Sequence, residues 1–453
     1  MVISPYKTKT VEKIHLLPKK ERARRIKRAG YNLFFLNSED IYIDFLTDSG
    51  TGAMSEDQWA GIMRGDESYA GSTSFRNLKR AVQNITGFTY VLPVHQGRGA
   101  ENVFNGALVK SGMVVPGNAP FDTTRAHIEY AGGTPLDCTI RDAYQWKSSH
   151  PFKGNVDLRL LEKALSAYRG RTAHILVTVT CNQVGGQPVS LENITAVSRL
   201  ARRFRVKLFF DGARFAENAY FIKEREKGME KKKIPWIVRE MMRYADGMLM
   251  SSKKDAIVNM GGFIALRDKE IFSLLAPRGI LMEGFLHYGG MSGRDMEALA
   301  VGLREGIEED YLRHRVAQVR YLGEGLLKTG VPVLTPVGGH AVYIDATRML
   351  PRIPWYEFPG HALAVAAYLE GGIRGVEIGS IMEGRDPATE KNKRARQELL
   401  RLAIPRRVYS QEHVDYVLEV FKRIWQNRKK IHGVGFMKEA PILRHFSSRF
   451  KIL

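Results

Sequence analysis

The 453 residues are 44% hydrophobic and 26% charged, an ordinary globular balance with room for a large core and two domains. The opening MVISPYKTKTVEKIHLLPKKERARR lacks the apolar stretch of a signal peptide, no later run approaches the length that spans a bilayer, and Cys138 and Cys181 fall in no metal-ligand spacing; a cytoplasmic chain is expected, with no membrane contact, disulfide framework or structural zinc. The 69 Lys and Arg against 48 Asp and Glu give a formal charge of +21 and raise nucleic acid as a partner, but KKERARRIKR, KEREKGMEKKK and KNKRARQELLR lack aromatic interleaving and read as a solvated surface, so no nucleic-acid partner is expected.

Residues 1–44 read as an N-terminal arm that also contributes to a small domain. From about residue 88 to 270, short apolar runs alternate with helix-like segments. YVLPV (90–94), MVVPG (113–117), HILVTVT (174–180), VKLFFD (206–211), GMLMSS (247–252) and GGFIALR (261–267) have the composition of strands buried on both faces. SLENITAVSRLARRFR (190–205) has Ser190 as N-cap and apolar residues at helical spacing. Such alternation predicts an α/β fold with a doubly wound, mostly parallel sheet, here a large domain over 45–308. Beyond about residue 295 the pattern changes to a long helical stretch, RDMEALAVGLREGIEEDYLRHRVAQVRYLGEGLLKTG, then the strand GGHAVYID, which predicts a smaller α/β domain over 309–453.

Three stretches carry chemistry. VHQGRGAENVFNGALVK sets Gln96, Gly97, Arg98 and Gly99 between a strand end and a helix start, where small residues and first-turn amides suit a phosphate. LFFDGARFAENAY ends a buried strand on Asp211, with Arg214 three residues on; an acid there needs a cationic partner or becomes neutral. SSKKDAIVNMGG places Lys253 and Lys254 at another strand end, and ligands of such sheets bind in the crevice at these ends. A phosphate cradle, a carboxylate for a protonated pyridine nitrogen and a lysine amine together suit pyridoxal 5′-phosphate.

The chain resembles the β-eliminating lyases, tryptophan indole-lyase and tyrosine phenol-lyase, through LTDSGTGAMSEDQW, GDESYAGS, HQGRGAEN, FDTT, GGQPVS, DGARFAENAYFIK, SSKKD, YGGMSGRDM, GGHAVYID, VEIGS, GRDPAT, RLAIPRRVY and LRHF, which occur in the family's order over nearly the whole chain. The resemblance implies the aspartate aminotransferase-like fold and pyridoxal phosphate held by Lys254. It implies Asp211 at the pyridine nitrogen, Gln96, Gly97, Arg98 and Ser251 at the phosphate with Lys253 nearby, Phe121 on the ring, and Asn182 and Arg214 at the phenolic oxygen. Arg401 would grip the substrate carboxylate, helped by Thr47, Ser49 and Asn182. A potassium ion at a subunit interface would use Glu67 and the carbonyls of Gly50 and Asn259, in a homotetramer.

Three positions bear on the leaving group. The resemblance places Asp122 where tryptophan indole-lyase has a carboxylate and the phenol-lyase a threonine. It places Ile378 where the phenol-lyase has an arginine for the phenol hydroxyl, and His445 where the phenol-lyase has a phenylalanine. These imply L-tryptophan as the small-molecule substrate and indole, pyruvate and ammonium as products, with Tyr69 as the acid. Phenol release from tyrosine, or elimination from another β-substituted alanine, is the alternative.

Overall fold

The computed structural model describes residues 3–146, 148–386, 389–441 and 443–453. Pro387 and Ala388 of the GRDPAT stretch lie outside the described residues. The chain divides into two compact units, Met1–Pro5 with Ser49–Val316 and Tyr6–Asp48 with Ala317–Leu453. Among the described residues no helix is long and apolar enough to cross a membrane.

The first unit is built on a seven-stranded sheet: β1 Tyr90–Val94, β2 Val114–Gly117, β3 Thr134–Asp137, β4 Ile175–Thr178, β5 Leu208–Asp211, β6 Gly247–Ser251 and β7 Gly262–Leu266. The order across it is β1-β7-β6-β5-β4-β2-β3, parallel throughout except for β7, which runs against both β1 and β6. Six of these strands coincide with apolar runs, as expected for strands covered on both faces. The seventh, β3, has the sequence TPLD and escapes that pattern. It is an edge strand with Thr134 exposed, where a proline costs no ladder bond that a central strand would need. Gly117 is required by the close approach of β4: a Cβ there would stand 1.7 Å from the Leu176 carbonyl oxygen. Helix Leu191–Phe204 starts as expected, with the Ser190 hydroxyl accepting from the Asn193 amide at 3.1 Å.

The second unit holds a three-stranded antiparallel sheet, ordered Val376–Ile378, Leu399–Ala403, Ala341–Asp345. Helices Pro359–Gly371 and Gln411–Asn427 belong to the same unit and bury apolar faces. Residues from the N-terminal stretch belong to this unit's core: helix Lys19–Arg28 buries Ile26, and Ile43–Asp44 pairs in parallel with Ile373–Arg374. An ion pair between Arg406 and Asp48, 2.8 Å apart and nearly solvent-free, fixes the end of that stretch.

The stretch 294–330 is two helices, Gly293–Glu305 and Glu309–Lys328, not one. The break falls at Gly306, where a Cβ would lie 2.0 Å from the Asp255 carbonyl oxygen. The helix end packs directly on the backbone beside Lys254. Gly306→Ala forces that backbone apart and is expected to destabilise the protein by about 1–3 kcal/mol, the usual cost of overpacking. A urea-unfolding midpoint equal to the parent's would show that the helix end shifts freely.

Candidate active site

The C-terminal ends of β4, β5 and β6 deliver Thr178, Asp211 and Ser251 to one cavity, the position that parallel strands give to ligands. The same cavity is lined by Ser49, Gln96, Gly97, Arg98, Phe121, Asn182, Arg214 and Lys254, so eight further residues expected from the sequence meet Asp211 and Ser251 there, and Thr178 is new. Lys254 lies in the turn that follows β6, and its Nζ donates to the Ser251 hydroxyl at 2.8 Å. That contact aims the amine along the strand end from which it springs.

Asp211 keeps part of its surface open to the cavity and accepts from the Ala213 amide at 3.3 Å. Burial pushes its carboxyl up, while Lys254, the Ala213 amide and Arg214 pull it down. Both cations favour its ionised form against the burial. Lys253, on the other side of the turn, does not line the cavity; its main chain receives the Gly50 amide at 2.7 Å, and burial, then Arg98, hold its pKa below the usual lysine range.

The anion cradle is the start of helix Gly97–Leu108. Gln96 occupies the N-cap position without a side-chain cap bond; the Gly99 amide donates to the Gln96 carbonyl at 3.0 Å, and the Gly97 and Arg98 amides are the helix-start donors left for an anion. A Cβ on Gly97 would sit 2.5 Å from the Ser251 Cβ, so only glycine allows the cradle and the strand end to close on each other. Phe121 lies at the N-cap of helix Asp122–Tyr130.

Several residues the motifs did not single out share this cavity: Glu101, Asn105, Thr124 and Thr180. The Thr180 hydroxyl, both side-chain polar atoms of Asn105 and Oε2 of Glu101 are buried without a hydrogen-bond partner. Glu101 and Asn105 were legible only as the i and i+4 positions on the inner face of the helix that begins at Gly97. Asp255 is a further positioning residue: one position after Lys254, buried, its Oδ2 accepts from the Ala216 and Glu217 amides at 2.8 and 3.1 Å. It ties the lysine turn to the first turn of helix Phe215–Arg225, which begins just after Asp211 and Arg214.

Other expected residues lie outside the cavity. Asp122 opens its helix and accepts from the Thr123 amide at 2.7 Å. Tyr69 is 67% exposed and stacks on Phe285 with ring centroids 5.4 Å apart. Gly50 and Asn259 are adjacent, the Asn259 Nδ2 donating to the Gly50 carbonyl at 2.9 Å, whereas Glu67 accepts from the Gly293 amide and faces Arg294 at 3.4 Å. Thr47, Ile378, Arg401 and His445 belong to the second unit. There Val376 pairs with Arg401 and Ile378 with Leu399, which puts Ile378 and Arg401 on the same face of the small sheet. The Arg401 guanidinium donates to the Leu46 carbonyl at 3.1 Å, and His445 is buried against Phe446.

A family model described as beta-eliminating lyase matches residues 44–419. A tryptophanase of Salinibacter ruber is 51% identical over 99% of this chain and 95% of its own length. A tyrosine phenol-lyase of Symbiobacterium thermophilum is 47% identical over 99% and 98%. Among solved structures, a Thermus thermophilus aspartate aminotransferase double mutant superposes with a TM-score of 0.61 at 17% identity, covering 90% of this chain and 95% of that one. The chain belongs to the beta-eliminating lyases and has the aspartate aminotransferase-like fold of pyridoxal phosphate enzymes. The residues present fit that cofactor: an amine at a strand end, a carboxylate flanked by two cations, a glycine-lined helix start, and buried polar atoms around them that lack partners within the protein.

The tie made by Asp255 can be tested apart from the chemistry. Asp255→Ala removes an acceptor from two helix-start amides and is expected to cost about 1–2 kcal/mol, as for a lost helix cap. Turnover should fall with it, because the Lys254 turn loses its anchor. Unchanged thermal midpoint and unchanged turnover would show the tie to be dispensable.

Proposed function

We propose that this lyase eliminates indole from L-tryptophan, giving pyruvate and ammonium. Relatives named for tryptophan and for tyrosine chemistry are nearly equally similar, so the choice rests on side chains, above all on Ile378. It is 5% exposed and apolar at the position where the resemblance calls for a guanidinium if a phenol hydroxyl is to be met. A phenol hydroxyl brought against an apolar side chain is left unpaired and strongly disfavoured, whereas an indole ring is not. Asp122 can accept from an indole N–H, and His445 completes the set.

Bound in the cavity, pyridoxal phosphate supplies an electron sink for the charge that develops at the substrate Cα. Gln96, Gly97, Arg98 and Ser251 hold the phosphate, with Lys253 contributing charge nearby, and Phe121 covers the ring. Asp211 would hold the proton on the pyridine nitrogen, and Asn182 and Arg214 would serve the phenolic oxygen. Lys254, oriented by the Ser251 hydroxyl, anchors the cofactor and takes the Cα proton. On the resemblance alone, Arg401 grips the substrate carboxylate with its planar fork, supported by Thr47, Ser49 and Asn182. Indole cannot leave as a carbanion, so its C3 must first be protonated. We assign that proton to Tyr69, which stands exposed on its own chain and would serve a neighbouring copy in the proposed homotetramer. Potassium, bound with Glu67, Gly50 and Asn259, is part of the same reading. So is a cytoplasmic location, with which the free, buried thiols of Cys138 and Cys181 are compatible.

Purified enzyme loaded with pyridoxal phosphate should release indole and pyruvate from L-tryptophan and roughly tenfold to a hundredfold less phenol from L-tyrosine, the range expected for one lost hydrogen bond to a charged group. Faster release of phenol than of indole would overturn the leaving group and leave the lyase standing. Lys254→Ala should abolish turnover with the fold intact; substantial residual activity would transfer the anchoring role to another amine.

The cation is tested by exchange of salts. Turnover should rise when sodium is replaced by potassium, and Glu67→Gln should flatten the response. Equal rates in both salts would remove the potassium assignment.

A further inference from the structure

Two carboxyl groups face the cofactor cavity from its inner side, Asp211 at the end of β5 and Glu101 on the helix that starts at Gly97. They have unlike surroundings. Asp211 has Lys254, Arg214 and the Ala213 amide. Glu101 has hydroxyls: its Oε1 accepts from the Thr124 Oγ1 at 2.5 Å, and Thr123 stands beside it in the cavity wall. Its Oε2 is buried without a partner, and Asn105, one turn further along the same helix face, has neither side-chain atom bonded. The carboxylates of Asp211 and Asp122 both act to keep a proton on Glu101, while the cations of the same cavity, Arg98, Arg214 and Lys254, stand with Asp211 in its lining. On the helix that packs behind it, Arg278 is engaged by Asn102, and Glu283 is bound to His95.

Two carboxylates sharing one enclosed space do not both ionise; the proton goes to the one with fewer cationic partners. We propose that Glu101 is held as a neutral carboxylic acid beside Asp211, and that this makes Asp211 the single anion facing the pyridine nitrogen. Glu101 is thus a positioning residue that acts through Asp211. Burial, first, and then the Asp211 charge push its carboxyl up to about 7 even with both Thr hydroxyls opposing. The proton it keeps is one that Asp211 does not take, so Asp211 stays free to hold the proton of the cofactor's nitrogen. The inference rests on the cofactor site and is independent of which leaving group the enzyme accepts.

The test uses the holoenzyme and two variants. Glu101→Gln keeps a neutral donor of the same shape, and Glu101→Leu fills the space without one. The first readout is the infrared difference spectrum of parent minus Glu101→Gln, recorded at pH 7.5 with pyridoxal phosphate bound. On lowering the pH from 7.5 to 6 it should gain the carbonyl stretch of a protonated carboxylic acid, in keeping with a carboxyl that titrates near 7; carboxylate bands alone at pH 6 would overturn the proposal. The second readout is cofactor retention by equilibrium dialysis, together with the pH at which the visible absorbance of the holoenzyme titrates. Glu101→Gln should match the parent in both, while Glu101→Leu should lose roughly tenfold in cofactor affinity, the scale of a buried hydrogen bond, and shift the titration. If Gln and Leu are impaired alike, a negative charge and not a proton is required at 101. If Leu matches the parent, Glu101 only fills space. Either result overturns the assignment.

Discussion

The first unit depends on keeping one carboxylate charged where β5 ends. Asp211 closes the run Leu208–Phe210, which is almost solvent-free, and an acid in that position reverts to its neutral form unless cations reach it. The two that do arrive by the shortest routes the topology offers. Arg214 comes three residues later, where the chain turns into helix Phe215–Arg225. Lys254 comes from the turn after β6, which pairs with β5 in parallel, with Asp211 opposite Leu249. Asp255 then binds the start of that same helix, so the strand, the helix and the lysine turn form a closed mechanical loop around the carboxylate. Any displacement of one member moves the charge balance of the others.

The antiparallel strand explains how the phosphate cradle meets the lysine turn. Because β7 runs against both β1 and β6, Val94 and Ser251 stand opposite the same residue, Gly262, from its two sides. The loop that leaves β1 and the turn that leaves β6 are therefore adjacent although positions 94 and 251 lie 157 apart in the chain. Contact between Gly97 and Ser251 follows from this pairing, and so does the absence of a side chain at 97. In an all-parallel sheet the strand inserted between them would carry its own loop to the same end and hold the two apart.

What could be read beforehand follows the physical signal available. Fully buried strands and a capped helix are written in composition and local spacing, and those elements stand where the residues indicated. The edge strand at 134–137 is half-solvated and contains a proline, so neither an apolar run nor strict alternation marks it. The helix break at Gly306 depends on a tertiary contact with the Asp255 carbonyl and has no local signature beyond the glycine itself. Asp211, Lys254 and the Gly97 turn announce themselves because each is a polar or small residue at the end of an apolar run. Glu101 and Asp255 do not, since a carboxylate among polar neighbours looks like a surface residue until the fold shows what it faces. Tyr69, Asp122 and the second-unit positions have no local physical signal of this kind; the family pattern alone singles them out, and they lie outside the cavity lining.

The pairing of the small sheet bears on the proposed choice of substrate. Ile378 and Arg401 share a face at diagonal cross-strand positions, a spacing of about 7–8 Å between side-chain bases. A guanidinium at 378 would stand within a Debye length of the one at 401, and two like charges at that distance repel in a partly desolvated setting. Such a pair can be offset by a substrate that brings two acidic ends, a carboxylate and an ionisable phenol. Tryptophan brings one, together with a ring whose only polar atom is a donor. On the proposed reading, an apolar residue at 378 beside the guanidinium at 401 would suit the charge distribution of tryptophan better than that of tyrosine, which is why the proposal turns on one isoleucine.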